Sequence, residues 1–90
     1  MTTNMSTHDA LVATLQSLLV HNSVTFKFIY SKAGEDHEAG TVRTAVGTIS
    51  HEGYVPSKNP DIQIFWDLEK QAWRSFNINN LTDILSVGDL

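Results

Sequence analysis

Two β-prone runs only three residues apart constrain this chain most. Ile62-Gln63-Ile64-Phe65-Trp66-Asp67-Leu68 and Ala72-Trp73-Arg74-Ser75-Phe76-Asn77-Ile78 are joined by Glu69-Lys70-Gln71. Two such runs with so short a link form an antiparallel hairpin, because a parallel pair needs a crossover of a dozen or more residues. Register is set by which face is buried, and a slip of one residue inverts every side chain. Pairing Leu68 with Ala72 sets Trp66 opposite Arg74, Ile64 opposite Phe76 and Ile62 opposite Ile78. That register gathers Ile62, Ile64, Phe76 and Ile78 into one shared interior, and the fold expectation rests on it. The alternative, with Ile64 opposite Ser75 and Phe65 opposite Arg74, mixes the faces. In the favoured register Arg74 lies beside Trp66 near an open end of the sheet, while Phe65 and Trp73 sit diagonally on the outer face and need a cover. The three-residue link lacks the usual Gly or Asn at its left-handed position.

The remaining elements fall on either side of this hairpin. Ser6 is an N-cap candidate with Asp9 three residues on, and Leu11, Leu15, Leu18 and Leu19 repeat at helical spacing. A helix is expected over about 7–20, docked on the sheet or, alternatively, swapped onto a partner. Val24, Phe26, Phe28 and Tyr30 alternate with Thr25, Lys27 and Ile29, a strand pattern. AGEDHEAG, from Ala33 to Gly40, is a loop. Residues 41–49 form a second strand, in which Gly47 marks a bulge or a close backbone approach. Residues 50–61 hold two prolines and a glycine and read as an irregular connection. Asn79-Asn80-Leu81 is a 3₁₀ turn and 83–87 a short fifth strand. A short polar tail, 1–5, precedes a single helix-plus-barrel domain at 6–90. One helix, five short antiparallel strands and a 3₁₀ turn before the last describe a mainly β fold, a small SH3-like or Sm-like barrel, which removes exposed sheet edges.

Composition narrows the function. The chain has 90 residues, six Lys+Arg, ten Asp+Glu and a net charge of −4, with no Cys. Without cysteine there is no disulfide scaffold, zinc knuckle or thiol nucleophile. No apolar run reaches the roughly 20 residues of a membrane span. The N-terminus lacks a basic flank followed by an apolar run, so a cytoplasmic location is expected.

Phe26, Phe28, the string Arg43-x-Ala45-x-Gly47-Thr48, then Phe65, Asp67, Trp73-Arg74-Ser75-Phe76 and Asn80-Leu81 resemble a family of small phage and bacterial proteins described as WYL-like, with an Sm-like SH3 β-barrel fold. The match covers about 24–81. The resemblance implies the barrel, and a phage-encoded member would act in the host cytoplasm. WYL domains proper are regulatory modules that sense nucleic-acid-type ligands through a basic, aromatic-lined surface. This chain keeps Arg74, but has Asn77, Asn79 and Asn80 where WYL domains often carry further basic residues, which counts against anion or oligonucleotide binding.

The candidate site residues are each open to two readings. Arg43 and Arg74, the only arginines, would clamp a phosphate or carboxylate if they converge; alternatively each pairs with a local acid, such as Asp67 or an acid of the 35–38 loop. Trp66, Trp73, Phe65 and Tyr54 would stack bases in a single-strand binder. Such sites are embedded in positive charge, so the net charge favours core packing or helix docking instead. Asp36-His37-Glu38 and His51-Glu52 hold metal-ligand residue types without metal-site spacing, so no metal or cofactor is expected. Ser75 lies in no nucleophile elbow, so no enzyme activity is expected. The leading expectation is a regulatory module with a protein partner, or itself as monomer or small homo-oligomer; the alternative is a nucleic-acid or nucleotide ligand at Arg43 and Arg74.

Overall fold

A computed structural model describes residues 6–30 and 41–90. The expected tail at 1–5, the Gly-flanked loop and Asp36-His37-Glu38 lie outside the described residues.

The fold begins with the cap that the sequence signals. Ser6 Oγ accepts the Asp9 N–H at 3.0 Å and opens helix α1, Thr7–Leu19. Its apolar stripe buries Val12, Leu15 and Leu19 against the chain's own sheet. The helix end is tied to the sheet directly: the Leu19 carbonyl accepts the Ile49 N–H and the Thr48 hydroxyl, both at 3.0 Å. Those two bonds satisfy a helix-end carbonyl that otherwise has no partner within the helix.

Five antiparallel strands follow: β1 Ser23–Tyr30, β2 Thr41–Thr48, β3 Ile62–Asp67, β4 Ala72–Asn77 and β5 Leu81–Gly88. A 3₁₀ turn, Ile78–Asn80, precedes β5, one residue earlier than its expected position. The order across the sheet is β4-β3-β2-β1-β5. β4 and β5 each have one neighbour, so the sheet curls without closing. Two register shifts in the β1–β5 pairing bend β5 around this curl.

Gly47 lies where the pairing of β2 passes from β1 to β3. β2 meets β3 through two residue pairs, Gly47 with Asp67 and Thr48 with Trp66. The β1–β2 register is unbroken up to Gly47, its last residue, opposite Val24, and the close approach there is to the Phe65 ring. A Cβ there would press into the buried Phe65 ring inside van der Waals contact; the missing side chain is what lets that ring lie on the strand.

The hairpin register is the one the hydrophobic pattern argues against. Asp67 pairs with Ala72, Trp66 with Trp73, Phe65 with Arg74, Ile64 with Ser75, Gln63 with Phe76 and Ile62 with Asn77. Ile62 and Ile64 therefore alternate away from the face that Phe76 shares, and the expected interior of Ile62, Ile64, Phe76 and Ile78 does not form. The reason is in the turn. Gln71 adopts φ 54°, its N–H bonds the Asp67 carbonyl at 2.8 Å, and Leu68 leaves the strand to join the loop. The extra loop residue shifts the pairing by one. The core still forms because the inward face is aromatic instead of aliphatic. Phe65 and Phe76 pack with Phe26 and Phe28, with ring centroids 5.1–6.0 Å apart.

Gln63 and Asp67 share that inward face, and each is satisfied. Gln63 Oε1 accepts from Gln16 Nε2 on the helix, and its own amide donates to the Ile64 carbonyl and, at 3.4 Å, to the Tyr54 hydroxyl. Asp67 Oδ1 accepts the Glu69 and Lys70 N–H groups at 2.9 Å, capping the turn. Buried polar groups are tolerable when paired, which is how two polar residues displace isoleucines from the core.

Candidate binding surfaces on the β3–β4 hairpin

The shift of one residue redistributes the predicted site residues. Phe65 is fully buried, so it belongs to the core and cannot touch a partner; the expected outer pair of Phe65 and Trp73 is corrected to Trp66 and Trp73. Arg74 stands opposite Phe65 and not beside Trp66, so the expected arginine–indole contact gives way to an ion pair.

On the outer face Trp66 and Trp73 are cross-strand partners in an edge-to-face arrangement, centroids 5.2 Å apart. The irregular 50–61 connection folds over them. His51 lies flat on the Trp66 indole, 3.8 Å between centroids and 7° between planes, and meets Trp73 edge-on at 5.5 Å. Tyr54 approaches Trp73 at 6.0 Å and is anchored through its hydroxyl by Gln63. Trp73 keeps 36% of its surface exposed, and Val55 on the same connection is 69% exposed. The helix does not cover this plate; it lies on the core side. His51, considered in the sequence only as a metal-ligand type, is a member of the plate. The signal missed is that a Pro/Gly-rich connection crosses the hairpin, where its rings, His51 as well as Tyr54, can stack.

The second surface is on the inward face, at the mouth. Arg43, opposite Phe28 on β2, and Arg74 do converge: together with Lys70, Asp67, Phe28, Thr44 and Ala45 they line a cavity of about 50 Å³. Each arginine also has a neighbour of its own. Arg74 Nε is 3.9 Å from Asp67 Oδ2, and the Arg43 guanidinium stacks 5.0 Å over the Tyr30 ring. Lys70 is a cation that spacing does not flag; it reaches the mouth because Asp67 caps the turn that carries it.

Among the described residues no cluster of three His, Asp or Glu side chains is placed to hold a metal. No helix there is long and apolar enough to cross a membrane. Ser75 is exposed on the outward side of β4 and has no hydrogen-bonded base among the described residues. A family model described as WYL_2, Sm-like SH3 beta-barrel fold, matches residues 12–82. No curated protein and no solved structure matches the chain.

Proposed function

Since the chain belongs to the WYL_2 family of Sm-like SH3 β-barrels, we propose that it is a small non-enzymatic binding module that engages a protein partner through the Trp73 plate. The observation that supports this most is the exposure of Trp73 at the centre of a plate braced by Trp66, His51 and Tyr54. Rigid, half-exposed Trp and Tyr side chains supply large contact area at little entropic cost, and such residues dominate the energetics of protein interfaces. The net charge of −4 steers basic partners toward the module. A regulatory or accessory role, in a host cytoplasm if the protein is phage-encoded, fits a domain of this size. The test compares wild type with Trp73→Ala in affinity capture and light scattering, with circular dichroism confirming the fold. Wild type retains a partner, or self-associates, and Trp73→Ala loses it. A strictly monomeric wild type that captures no more protein than Trp73→Ala does removes this reading.

A second reading draws on the mouth. Three of the chain's six Lys and Arg side chains line one small cavity there, and Asp67, the acid among them, already accepts two backbone N–H groups. A compact anion, such as a nucleotide or nucleic-acid phosphate, suits that mouth. Salt-sensitive oligonucleotide binding that Arg74→Ala abolishes would support it. Absence of RNA or DNA binding at low salt ends it.

A further inference from the structure

We propose a ligand site that neither binding surface includes: a cavity of about 190 Å³ at the open side of the sheet, suited to one neutral planar ring with an amide-type edge. It is lined by Phe28, Tyr30, Ile62 and Phe76, with Ser75, Asn77 and Asn80 as its main polar groups. The cavity exists because the sheet does not close. β4 has β3 as its one neighbour, so alternate backbone N–H and C=O groups of β4 point away from the ladder.

Size sets the first limit. An apolar cavity of about 150 Å³ admits a benzene ring, so this one has room for a single ring. The walls set the second. Phe28 and Phe76 are buried and stacked on each other, 5.1 Å between centroids and 27° between planes, so they close the cavity on its core side and expose little of each ring to it. Tyr30 is held in place from outside the cavity by the Arg43 guanidinium. Among the described residues no charged side chain lines the space, so none of them would compensate the desolvation of a charged guest. The polar groups set the third. Asn77 Oδ1 accepts the Asn79 N–H at 2.9 Å, which fixes that carboxamide and leaves its N–H groups to donate. The half-buried Asn80 carboxamide makes no hydrogen bond among the described residues. A carboxamide presents a donor and an acceptor side by side, and its complement is a cyclic amide or a heterocycle with the same edge. Pockets with apolar walls and a few fixed polar groups are the usual form of small-molecule sites.

The probe is 2-pyridone, a one-ring cyclic amide, titrated into the full chain and followed by amide ¹H–¹⁵N shifts. Benzene and benzoate serve as comparisons. Saturable shifts at Tyr30, Ser75, Asn77 and Asn80 are expected, weaker for benzene and benzoate. Asn80→Ala lowers the affinity about tenfold, the scale of one lost hydrogen bond. Ile62→Phe fills the space and abolishes binding, which keeps the test decisive if Asn80→Ala misfolds. Three results overturn the site. One is the absence of saturable shifts. Another is shifts confined to Arg43, Lys70 and Arg74, which would move the ligand to the basic mouth. The third is equal affinity for benzene and 2-pyridone, unchanged by Asn80→Ala, which would reduce the cavity to an apolar void.

Discussion

The β3–β4 hairpin carries aromatic clusters on both its faces, and they differ in kind. Inward, Phe65 and Phe76 join Phe26 and Phe28. Outward, Trp66 and Trp73 join His51 and Tyr54. The inner rings are plain hydrocarbon and buried; every outer ring carries a polar atom and keeps some contact with solvent. An aromatic ring contributes most to stability when its whole surface leaves water. A ring with an N–H or O–H handle needs a partner when buried, and so suits a surface that is wet when free and covered when bound. The inner cluster therefore holds the fold, while the outer cluster is available to a partner.

The largest expected effect tests this division at the core. Phe65→Ala removes a ring that touches two others and lies over Gly47. It should destabilise the domain by about 3–5 kcal/mol, the range for buried Phe→Ala. Loss of this size consumes much of the stability of a small domain, so urea melts should show a strongly lowered midpoint or an unfolded chain. Trp73→Ala on the same hairpin should cost far less. Comparable costs for the two variants would mean that the faces are not divided as the structure shows.

A smaller effect is expected outside. His51→Ala removes the stacked ring from Trp66 and should lower stability by about 0.5–1.5 kcal/mol, the value of an aromatic pair. Tryptophan emission should shift to the red as the Trp66 face meets water. If the stability cost matches that of Phe65→Ala, the connection over 50–61 belongs to the core and the outer plate is not a free surface.

How much of this was legible in the sequence depends on the element. The helix was, because Ser6, Asp9 and the leucine repeat are local signals; it ends one residue before the expected boundary. So were β1 and β2, where alternation and Gly47 act over short range. The hairpin's existence was legible, but its register was not. Ile62, Ile64 and Ile78 look like core, and Gln63 and Asp67 look like surface. Their true assignment depends on partners distant in sequence, Gln16 and Tyr54 for Gln63, and on a cap that Asp67 forms only once the turn exists. The site inherited that error: Arg43, Arg74, Trp66, Trp73 and Tyr54 were legible as residues, but the partners of each were not. His51 and Lys70 carry no local signal for the surfaces they join.

The smallest expected effect concerns Gln71, the residue that assigns each ring to its face. A left-handed conformation costs a residue with a Cβ about 1–2 kcal/mol relative to its right-handed form, and glycine escapes that cost. Gln71 offsets part of it with its N–H bond to the Asp67 carbonyl and a side-chain bond to the Leu68 carbonyl, 2.6 Å. Gln71→Gly keeps the backbone bond, loses the side-chain bond and adds freedom to the unfolded chain. The balance should be a gain of about 0.5 kcal/mol in urea melts, with the Trp66–Trp73 pairing unchanged in cross-strand nuclear Overhauser contacts. Deleting Gln71 separates turn strain from register. Asp67 and Ala72 would then be joined by Leu68-Glu69-Lys70 alone, without the bonds that Gln71 makes to the Asp67 and Leu68 carbonyls, so that variant should melt below wild type where Gln71→Gly melts above it. A destabilised Gln71→Gly, or a deletion that melts like wild type, would show that the turn does not set the register and that the aromatic faces are chosen by the core alone.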